Sequence, residues 1–272
     1  MERRLLQLAF LFVCLLSAPS MGYSATDELP KKVKKEKRLT ADGPYIIKND
    51  DGTCRVISVD IKGNIIDKNY TSILPDCTFT VVSHNKKHKF EVSLHDVTRP
   101  NWRFKQPDKL FVMSDPHGNL DCVVSLLKGN NIIDNDYKWC YGSNRLVIIG
   151  DIFDRGEDVL QIMWLFYKLE KEAASVGGAV DFLLGNHEAL VLMNDLRYTK
   201  SKYTQLARKL GIKYPDLFAQ KTVSGEWLCT RNTIQVVGKY LFVHAGLGQQ
   251  FYDLNYCCPI KVGNSKNAWL EH

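Results

Sequence analysis

Four short apolar runs, each followed at once by a cluster of polar residues, constrain the fold of this 272-residue chain more than any other feature. The runs occupy residues 109–114, 145–149, 180–184 and 240–243. Runs of this length and composition are typical of strands in a sheet that is covered on both faces. Stretches with helical periodicity, such as residues 159–167, lie in the intervals between them. The alternation of strands and helices predicts an α/β domain.

The polar clusters after these runs contain carboxylate, imidazole and amide side chains. They lie at residues 115–119, 150–156, 185–188 and 244–246. Ligands of open α/β sheets bind outside the carboxyl ends of the strands, so clusters that are far apart in the chain can converge there. Asp, His and Asn are suitable ligands for a pair of divalent transition metals. One such cluster alone is more often an ordinary turn, but four in order indicate an active site that uses metal.

Two of the clusters resemble those of a known family. Gly-Asp-x-x-Asp-Arg-Gly at residues 150–156 and Gly-Asn-His-Glu at residues 185–188 resemble the metallophosphoesterase (calcineurin-like phosphoesterase) superfamily, and within it the phosphoprotein phosphatase branch. The motif Asp-Leu-Arg-Tyr at residues 195–198, with Lys202 and Tyr203 beyond it, is similar to the Shewanella-like phosphatases. The resemblance covers about residues 109–254 and implies the α/β fold of the superfamily, a β-sandwich flanked by helices.

The resemblance implies two divalent metal ions as cofactors, with manganese expected and iron or zinc as alternatives. Asp115 and His117 would hold one ion, Asn186 and His244 would hold the second, and Asp151 would bridge both. Two metal ions in such a site lower the pKa of a shared water and stabilise the oxygens of an in-line displacement.

The same resemblance implies roles for three further residues. His187 would be the general acid that protonates the leaving alkoxide, and Asp154 would orient it and keep it protonated. Arg155 would hold the phosphate, because a guanidinium group matches a pair of phosphate oxygens. The implied enzyme is a phosphoric monoester hydrolase. Its substrates would be proteins phosphorylated on Ser, Thr or Tyr, or small phosphoesters.

Two alternatives to this function stay open. Related enzymes share these motifs and hydrolyse nucleotides or diadenosine polyphosphates. The second alternative is a non-catalytic, truncated pseudo-phosphatase that binds metal or a partner.

The region after His244 departs from the family pattern. The resemblance implies one more histidine ligand from a later strand and loop, and usually a second phosphate-binding arginine. The single histidine beyond His244 is His272, at the end of an atypical tail, residues 255–272, without strand character. A terminal residue frays, so we expect His272 not to bind metal. We therefore expect a C-terminally truncated catalytic domain at residues 107–254, with a weakened second metal site and impaired activity.

Ordinary structural roles compete with functional ones for the other polar residues of interest. Glu188 is expected to cap the following helix rather than bind metal. Asn119 is expected either to contact substrate or to be an ordinary turn amide, with equal weight. Arg197 is expected either to contact substrate or to form a surface ion pair, again with equal weight. His84 and His88 lie on a Lys-rich turn and are expected to be solvated loop residues rather than a metal pair.

Residues 41–103 contain short strands separated by turns and predict a small β-rich accessory domain ahead of the catalytic domain. Within it, residues 78–82 and 90–94 are expected to pair across a polar loop. Cys54 and Cys77 both lie in this strand-rich region and could pair in a disulfide, and no cysteine is assigned a function.

The first 24 residues are expected to be a secretory signal peptide. Arg3 and Arg4 precede an apolar run at residues 5–16, and small residues follow, which is the layout of such a signal. A run of about twelve apolar residues is too short to span a bilayer. The protein is therefore expected to be exported, to the periplasm or out of the cell, with residues 25–40 as a basic linker.

The distribution of charge argues against a nucleic acid partner. The net charge is +6, but residues 31–38 alone carry six basic residues and one acid and account for most of it. A folded part without net charge does not present the basic surface that general nucleic acid binding needs. No stretch after the signal is long and apolar enough to predict a transmembrane span, and the sequence leaves the oligomeric state open.

Overall fold

A computed structural model describes residues 38–72 and 77–249 of the chain. The predicted signal peptide at residues 1–24, most of the predicted linker at residues 25–40 and the predicted tail at residues 255–272 lie outside the described residues. Among the residues described, no helix combines the length and the apolar character that crossing a membrane requires.

The described chain begins with two antiparallel sheets. Strands β1 (Asp42–Lys48), β2 (Cys54–Val59) and β3 (Ile65–Tyr70) form the first sheet in that order. Strands β4 (Thr78–Val82) and β5 (Lys89–Ser93) form a hairpin in which Val81 lies opposite Phe90, which confirms the predicted pairing. Cys54 is buried and Cys77 is exposed, and both are free thiols in this structure.

The next part alternates between strands and helices, as predicted. Strands β7 (Leu110–Met113), β8 (Arg145–Ile149) and β9 (Ala179–Leu183) form a parallel sheet in that order. Helices α1 (Leu120–Gly129) and α2 (Val159–Ser175) lie in the two connections. Every residue from 159 to 167 in α2 is buried, as expected for a helix with apolar residues around its whole circumference.

Short helices and a mixed three-stranded sheet, called the second sheet below, complete the described chain. After β9 come α3 (Asn186–Leu192), α4 (Ser201–Leu210), a 3₁₀ helix (Tyr214–Phe218) and α5 (Val223–Cys229). Strand β10 (Ile234–Val237) pairs with β11 (Tyr240–Val243) and also with the short strand β6 (Arg103–Phe104).

The fourth apolar run, which forms β11, differs from its prediction. It pairs antiparallel with β10 in the second sheet and does not join the parallel sheet of the other three runs. Tyr240 and Leu241 are 47% and 51% exposed, so the expectation of a strand covered on both faces is wrong here. Only Gly238 and Lys239 separate β11 from β10, and a connection this short permits only antiparallel pairing.

The β-rich region packs directly on α2. Buried residues of both regions belong to one hydrophobic cluster, which includes Tyr45 of β1 and Trp164 of α2. The Trp164 ring lies 4.9 Å from the Phe79 ring, and its Nε1 donates a hydrogen bond to the Pro44 carbonyl at 3.1 Å. The boundary between residues 41–103 and 107–254 as separate domains stays a prediction.

The tip of the β4–β5 hairpin contacts the beginnings of α1 and α2. The backbone N–H and ring Nδ1 of His84 each lie 2.6 Å from a carboxylate oxygen of the buried Asp158. His88 contacts the Tyr137 hydroxyl at 3.0 Å and Asp121 at 2.8 Å. His84 and His88 lie in a partly exposed loop, as expected, but these contacts hold them against α1 and α2 rather than leaving them free in solvent. Their partners are remote in the sequence, so the composition of the turn does not predict these contacts.

Asp121 holds the hairpin tip and gives the fold a testable pH dependence. Lys87, then Asn85 and His88, lower the pKa of Asp121 to about 2 through hydrogen bonds. A lowered folded-state pKa stabilises the fold above the unfolded value near 4, and this contribution is lost as the pH falls toward 2. We predict that Asp121→Asn lowers the free energy of unfolding at pH 7 by up to about 1 kcal/mol, since the pairing is partly exposed.

Urea unfolding at pH 7, 5 and 3 checks this prediction. The difference between the wild type and Asp121→Asn is expected to become smaller toward pH 3, because the unfolded chain then takes up a proton on this carboxyl while the folded chain, with its lowered pKa, largely does not. Asp50→Asn, in the exposed turn after β1, is the matched control. A difference that stays constant over this pH range contradicts the prediction.

Candidate metal centre and active site

Asp151 lies at the centre of the predicted site, directly after β8, and is buried. Its Oδ2 atom lies 3.3 Å from Nε2 of His244 and 3.9 Å from Nε2 of both His117 and His187. Its Oδ1 atom accepts a hydrogen bond from the His187 backbone N–H at 2.9 Å. The structure thus brings together polar clusters that follow four different strands, including β11 of the second sheet.

Two overlapping groups of possible metal ligands share Asp151. One consists of Asp115, Asp151 and His244, and the other of His117, Asp151 and His187. Within each group the ligand atoms lie within 4.8 Å of one another. The second group contains His187, which the sequence assigns to proton transfer rather than to metal binding. A carboxylate shared by two groups is suitably placed to bridge two ions.

Backbone carbonyls orient two of the imidazole rings. Nδ1 of His117 lies 2.8 Å from the Phe153 carbonyl, and Nδ1 of His244 lies 2.8 Å from the Ile149 carbonyl. A carbonyl oxygen only accepts hydrogen bonds, so each Nδ1 carries a hydrogen, and in the neutral ring Nε2 then has a lone pair that can bind a metal. Such a hydrogen bond behind the ring is the usual way in which proteins orient a histidine toward a metal.

The predicted second metal position consists of acceptor atoms that face one another. Nε2 of His244 lies 3.0 Å from Asn186 Oδ1 and 3.3 Å from Asp151 Oδ2. When the His244 ring is neutral with its hydrogen on Nδ1, all three atoms are acceptors and can serve as metal ligands. A cation placed between them would be bound by all three lone pairs, and this mixture of ligand types suits a divalent transition metal. The residues present therefore fit the metal that the sequence predicts.

The three residues predicted to be catalytic lie together beside this centre. Nδ1 of His187 lies 2.7 Å from Asp154 Oδ2, and the Asp154 side chain is fully buried. The Arg155 guanidinium lies 3.5 Å from Nε2 of His187. An imidazole that is held by a carboxylate and adjoins a guanidinium can deliver a proton to a group that the guanidinium binds.

The backbone of the site is unusually strained. Asp115, His117, Asp151, Asp154 and Arg155 all have left-handed conformations, with φ between 41° and 68°. Such conformations cost about 1–3 kcal/mol each and cluster at functional sites, where the surrounding structure maintains them. The strain therefore independently marks the same loops that the polar clusters identify.

Glu188 maintains part of this backbone. It is buried, and its carboxylate accepts hydrogen bonds from the backbone N–H groups of Gly185 at 2.7 Å and Asp151 at 2.8 Å. The expectation that Glu188 caps the following helix is confirmed. No side chain fits at Gly185, because a Cβ there would lie 2.1 Å from Asp151 Oδ1.

The structure supports the structural interpretations of Asn119 and Arg197. Asn119 caps α1, where its side chain accepts a hydrogen bond from the Cys122 backbone N–H at 3.1 Å. The Arg197 side chain is 70% exposed and forms an ion pair with Asp195 at 2.7 Å.

Two residues that contact the site were not identified from the sequence. Ser114 Oγ lies within hydrogen-bond distance of Asp115 Oδ2 and of the Ile149 carbonyl. Thr199 Oγ1 donates a hydrogen bond to Asp154 Oδ1 at 2.6 Å. Their positions next to recognised motifs could have identified them: Ser114 directly precedes the first polar cluster, and Thr199 directly follows the Asp-Leu-Arg-Tyr motif.

A polar pocket of about 500 Å³ opens beside the centre. Its lining includes Asp115, His117 and Arg155 of the site, together with Lys200 and with His84 from the hairpin tip. The β-rich region therefore contributes a wall to the pocket. His272 lies outside the described residues, so the missing histidine ligand stays a prediction.

The family is shown by a match over more than half of the chain. The calcineurin-like phosphoesterase model matches residues 109–272. The chain belongs to the calcineurin-like phosphoesterase family. It is similar to Shewanella-like protein phosphatase 2 of Arabidopsis thaliana, with 36% identity over 135 residues, which cover 50% of this chain and 31% of the relative. It is also similar to Shewanella-like protein phosphatase 1 of Plasmodium berghei, with 31% identity over 175 residues, covering 58% and 48%.

A solved phosphatase structure has a similar fold. The cold-active protein-tyrosine phosphatase of a psychrophilic Shewanella species superposes with a TM-score of 0.71 and 30% identity, covering 79% of this chain and 63% of that chain. The predicted fold class and the resemblance to the Shewanella-like phosphatases are thereby confirmed. The chain spans about half or less of the length of the curated relatives it matches.

Proposed function

We propose that this phosphoesterase is an exported, metal-dependent phosphatase that hydrolyses phosphate monoesters, with phosphorylated Ser, Thr or Tyr side chains of proteins as substrates. The observation that carries the proposal is the convergence of three imidazole Nε2 atoms on Asp151 Oδ2, beside the buried Asp154–His187 pair. The relatives are named protein phosphatases, and the similar structure is a protein-tyrosine phosphatase, which supports protein substrates.

Two metal ions would be held by the predicted ligand set. The ligands are Asp115, His117, Asp151, Asn186 and His244. When bound, the ions supply positive charge that stabilises phosphoryl oxygens, and they lower the pKa of the attacking water. The mixture of carboxylate, imidazole and amide ligands suits manganese, with iron and zinc as alternatives.

Arg155 and His187 would act on the two ends of the bond that breaks. Arg155 is exposed to the pocket and 3.5 Å from His187 Nε2, so a phosphate bound to the guanidinium lies next to that nitrogen. As the ester P–O bond breaks, its oxygen keeps the electron pair and takes a proton from Nε2. Water forms the new P–O bond and releases one proton, which restores the imidazolium. The products are an alcohol or phenol and inorganic phosphate.

Hydrolysis by the full chain tests this function. We predict turnover of p-nitrophenyl phosphate and of phosphoserine and phosphotyrosine peptides with added Mn²⁺, and loss of turnover with EDTA. Arg155→Ala is expected to lower kcat/KM roughly 100-fold, since one group that stabilises transition-state charge contributes about that much. Arg103→Ala, an exposed arginine on β6, is the matched control and should not change kcat/KM.

Other outcomes of this assay favour the alternatives. Faster hydrolysis of ATP or diadenosine tetraphosphate than of any monoester supports a nucleotide hydrolase. Bound metal without turnover above that of His187→Ala supports a pseudo-phosphatase.

The export part of the proposal is supported by the signal-like layout of residues 1–24. Expression of the full chain in a bacterial host, fractionation and N-terminal sequencing test it. Processed protein in the periplasm that begins near residue 25 is the expected result. An unprocessed chain in the cytoplasm contradicts export.

A further inference from the structure

Residues 195–203, here called the support segment, contact the active-site loop and the start of α2 at four places. The contacts join Thr199 to Asp154, Tyr198 to Arg155, Lys202 to Glu157 and Tyr203 to Val159. The segment begins with the Asp-Leu-Arg-Tyr motif, to which the proposed reaction assigns no role. Its contacts therefore indicate what the motif does.

Thr199 and His187 each contact one of the two oxygens of the buried Asp154 carboxylate. Asp154 Oδ1 accepts from the Thr199 hydroxyl at 2.6 Å, and Oδ2 lies 2.7 Å from Nδ1 of His187. The Asp154 side chain has no exposed surface, so both contacts are shielded from bulk solvent. The torsion that rotates a carboxylate is soft, and a partner on each oxygen limits this rotation.

The rest of the support segment positions neighbouring groups. The Tyr198 carbonyl accepts the Arg155 backbone N–H at 3.0 Å, where Arg155 has a left-handed φ of 62°. The Tyr198 ring centre lies 5.2 Å from that of His187. The Thr199 backbone N–H donates to the Leu196 carbonyl at 3.1 Å, which holds the hydroxyl in place.

We propose that Thr199 is a positioning residue that holds the Asp154 carboxylate in the orientation in which it orients His187 for proton donation. The inference rests on the proposed function, in which His187 protonates the leaving oxygen. Without the hydroxyl, Oδ1 becomes a buried acceptor without a partner, and the carboxylate is free to turn away from Nδ1. The rate of proton donation by His187 then falls, while phosphate binding through Arg155 is retained.

The leaving group distinguishes positioning from a general structural role. p-Nitrophenolate leaves readily without a proton, whereas phenolate depends more on general acid catalysis. Thr199→Val is expected to lower kcat for phenyl phosphate roughly 10–100-fold, the range found when a hydrogen bond that orients a metal ligand is lost. The loss for p-nitrophenyl phosphate should be clearly smaller, with KM unchanged for both. Thr199→Ser, which keeps the hydroxyl, should restore kcat.

Thr204→Val, which removes an exposed hydroxyl from α4, is the matched control and should behave as the wild type. Thermal unfolding of each variant verifies that it is folded. Equal losses on both substrates, or no rescue by Thr199→Ser, overturn the proposal.

A second measurement does not require activity. The NMR signal of the His187 Nδ1–H proton, assigned by its absence in His187→Ala, should shift in Thr199→Val and stay in place in Thr199→Ser. An unchanged signal in Thr199→Val overturns the proposal. If the wild type hydrolyses no phosphoester, the proposed function fails, and this signal still decides whether Thr199 positions the pair.

Discussion

Asp151→Asn is expected to abolish both metal binding at the shared position and phosphoester hydrolysis. The substitution keeps the size of the side chain and the Oδ1 acceptor for the His187 backbone N–H. It removes the negative charge from a group that belongs to both sets of possible ligands. Loss of a residue that only orients a ligand costs about 10–100-fold, so loss of a shared ligand should lower kcat/KM by more than about 100-fold.

Calorimetric titration with Mn²⁺ and hydrolysis of p-nitrophenyl phosphate check this prediction on the same preparations. Asp136→Asn, in an exposed turn, is the matched control and should bind metal and turn over as the wild type does. Thermal unfolding without metal verifies that the Asp151→Asn variant is folded. Wild-type metal stoichiometry in this variant would show that Asp151 does not bridge.

The convergence of these side chains was predictable because each polar cluster is local in the sequence. Each polar cluster directly follows an apolar run, and the carboxyl ends of the parallel strands β7, β8 and β9 necessarily meet at one edge of their sheet. Asp115, Asp151 and His187 therefore converge as expected. His244 reaches the same centre by a different path, because its strand β11 belongs to the second sheet.

Contacts between remote segments could not be predicted in the same way. Thr199 and Asp154 are 45 residues apart, and His84 and Asp158 are 74 residues apart, so no periodicity relates them. The hairpin tip has the composition of a solvated loop, and only the arrangement of the sheets places it against α1 and α2. The hydrogen-bond partner of a polar residue near a motif is set by the whole fold. The formation of a strand is set mainly by the residues of the strand itself.

Glu188→Ala is expected to be among the most destabilising single substitutions in the described part of the chain. In addition to Gly185 and Asp151, the carboxylate accepts hydrogen bonds from the backbone N–H groups of Ile152 at 2.8 Å and Phe153 at 3.3 Å. A buried donor without a partner costs about 1–3 kcal/mol, so loss of these bonds should lower the free energy of unfolding by at least about 3 kcal/mol.

The same substitution should weaken metal binding, because Glu188 connects the loop after β8 to the loop after β9. Asp151 has a left-handed φ of 60°, and the hydrogen bond from its N–H to Glu188 helps to maintain this strained conformation. Once the bond is lost, the Asp151 carboxylate is no longer held in place, and Mn²⁺ affinity should fall about 10–100-fold, as when other orienting partners are removed.

Urea unfolding and Mn²⁺ titration of Glu188→Gln, Glu188→Ala and the control Glu91→Ala, on the exposed side of β5, separate these effects. Glu188→Gln keeps one acceptor oxygen and places an NH₂ group against the remaining backbone donors, so its loss of stability should lie between those of the other two variants. A stability of Glu188→Ala equal to that of Glu91→Ala would show that water replaces the carboxylate. In that case Glu188 would not be what maintains the strained backbone around Asp151.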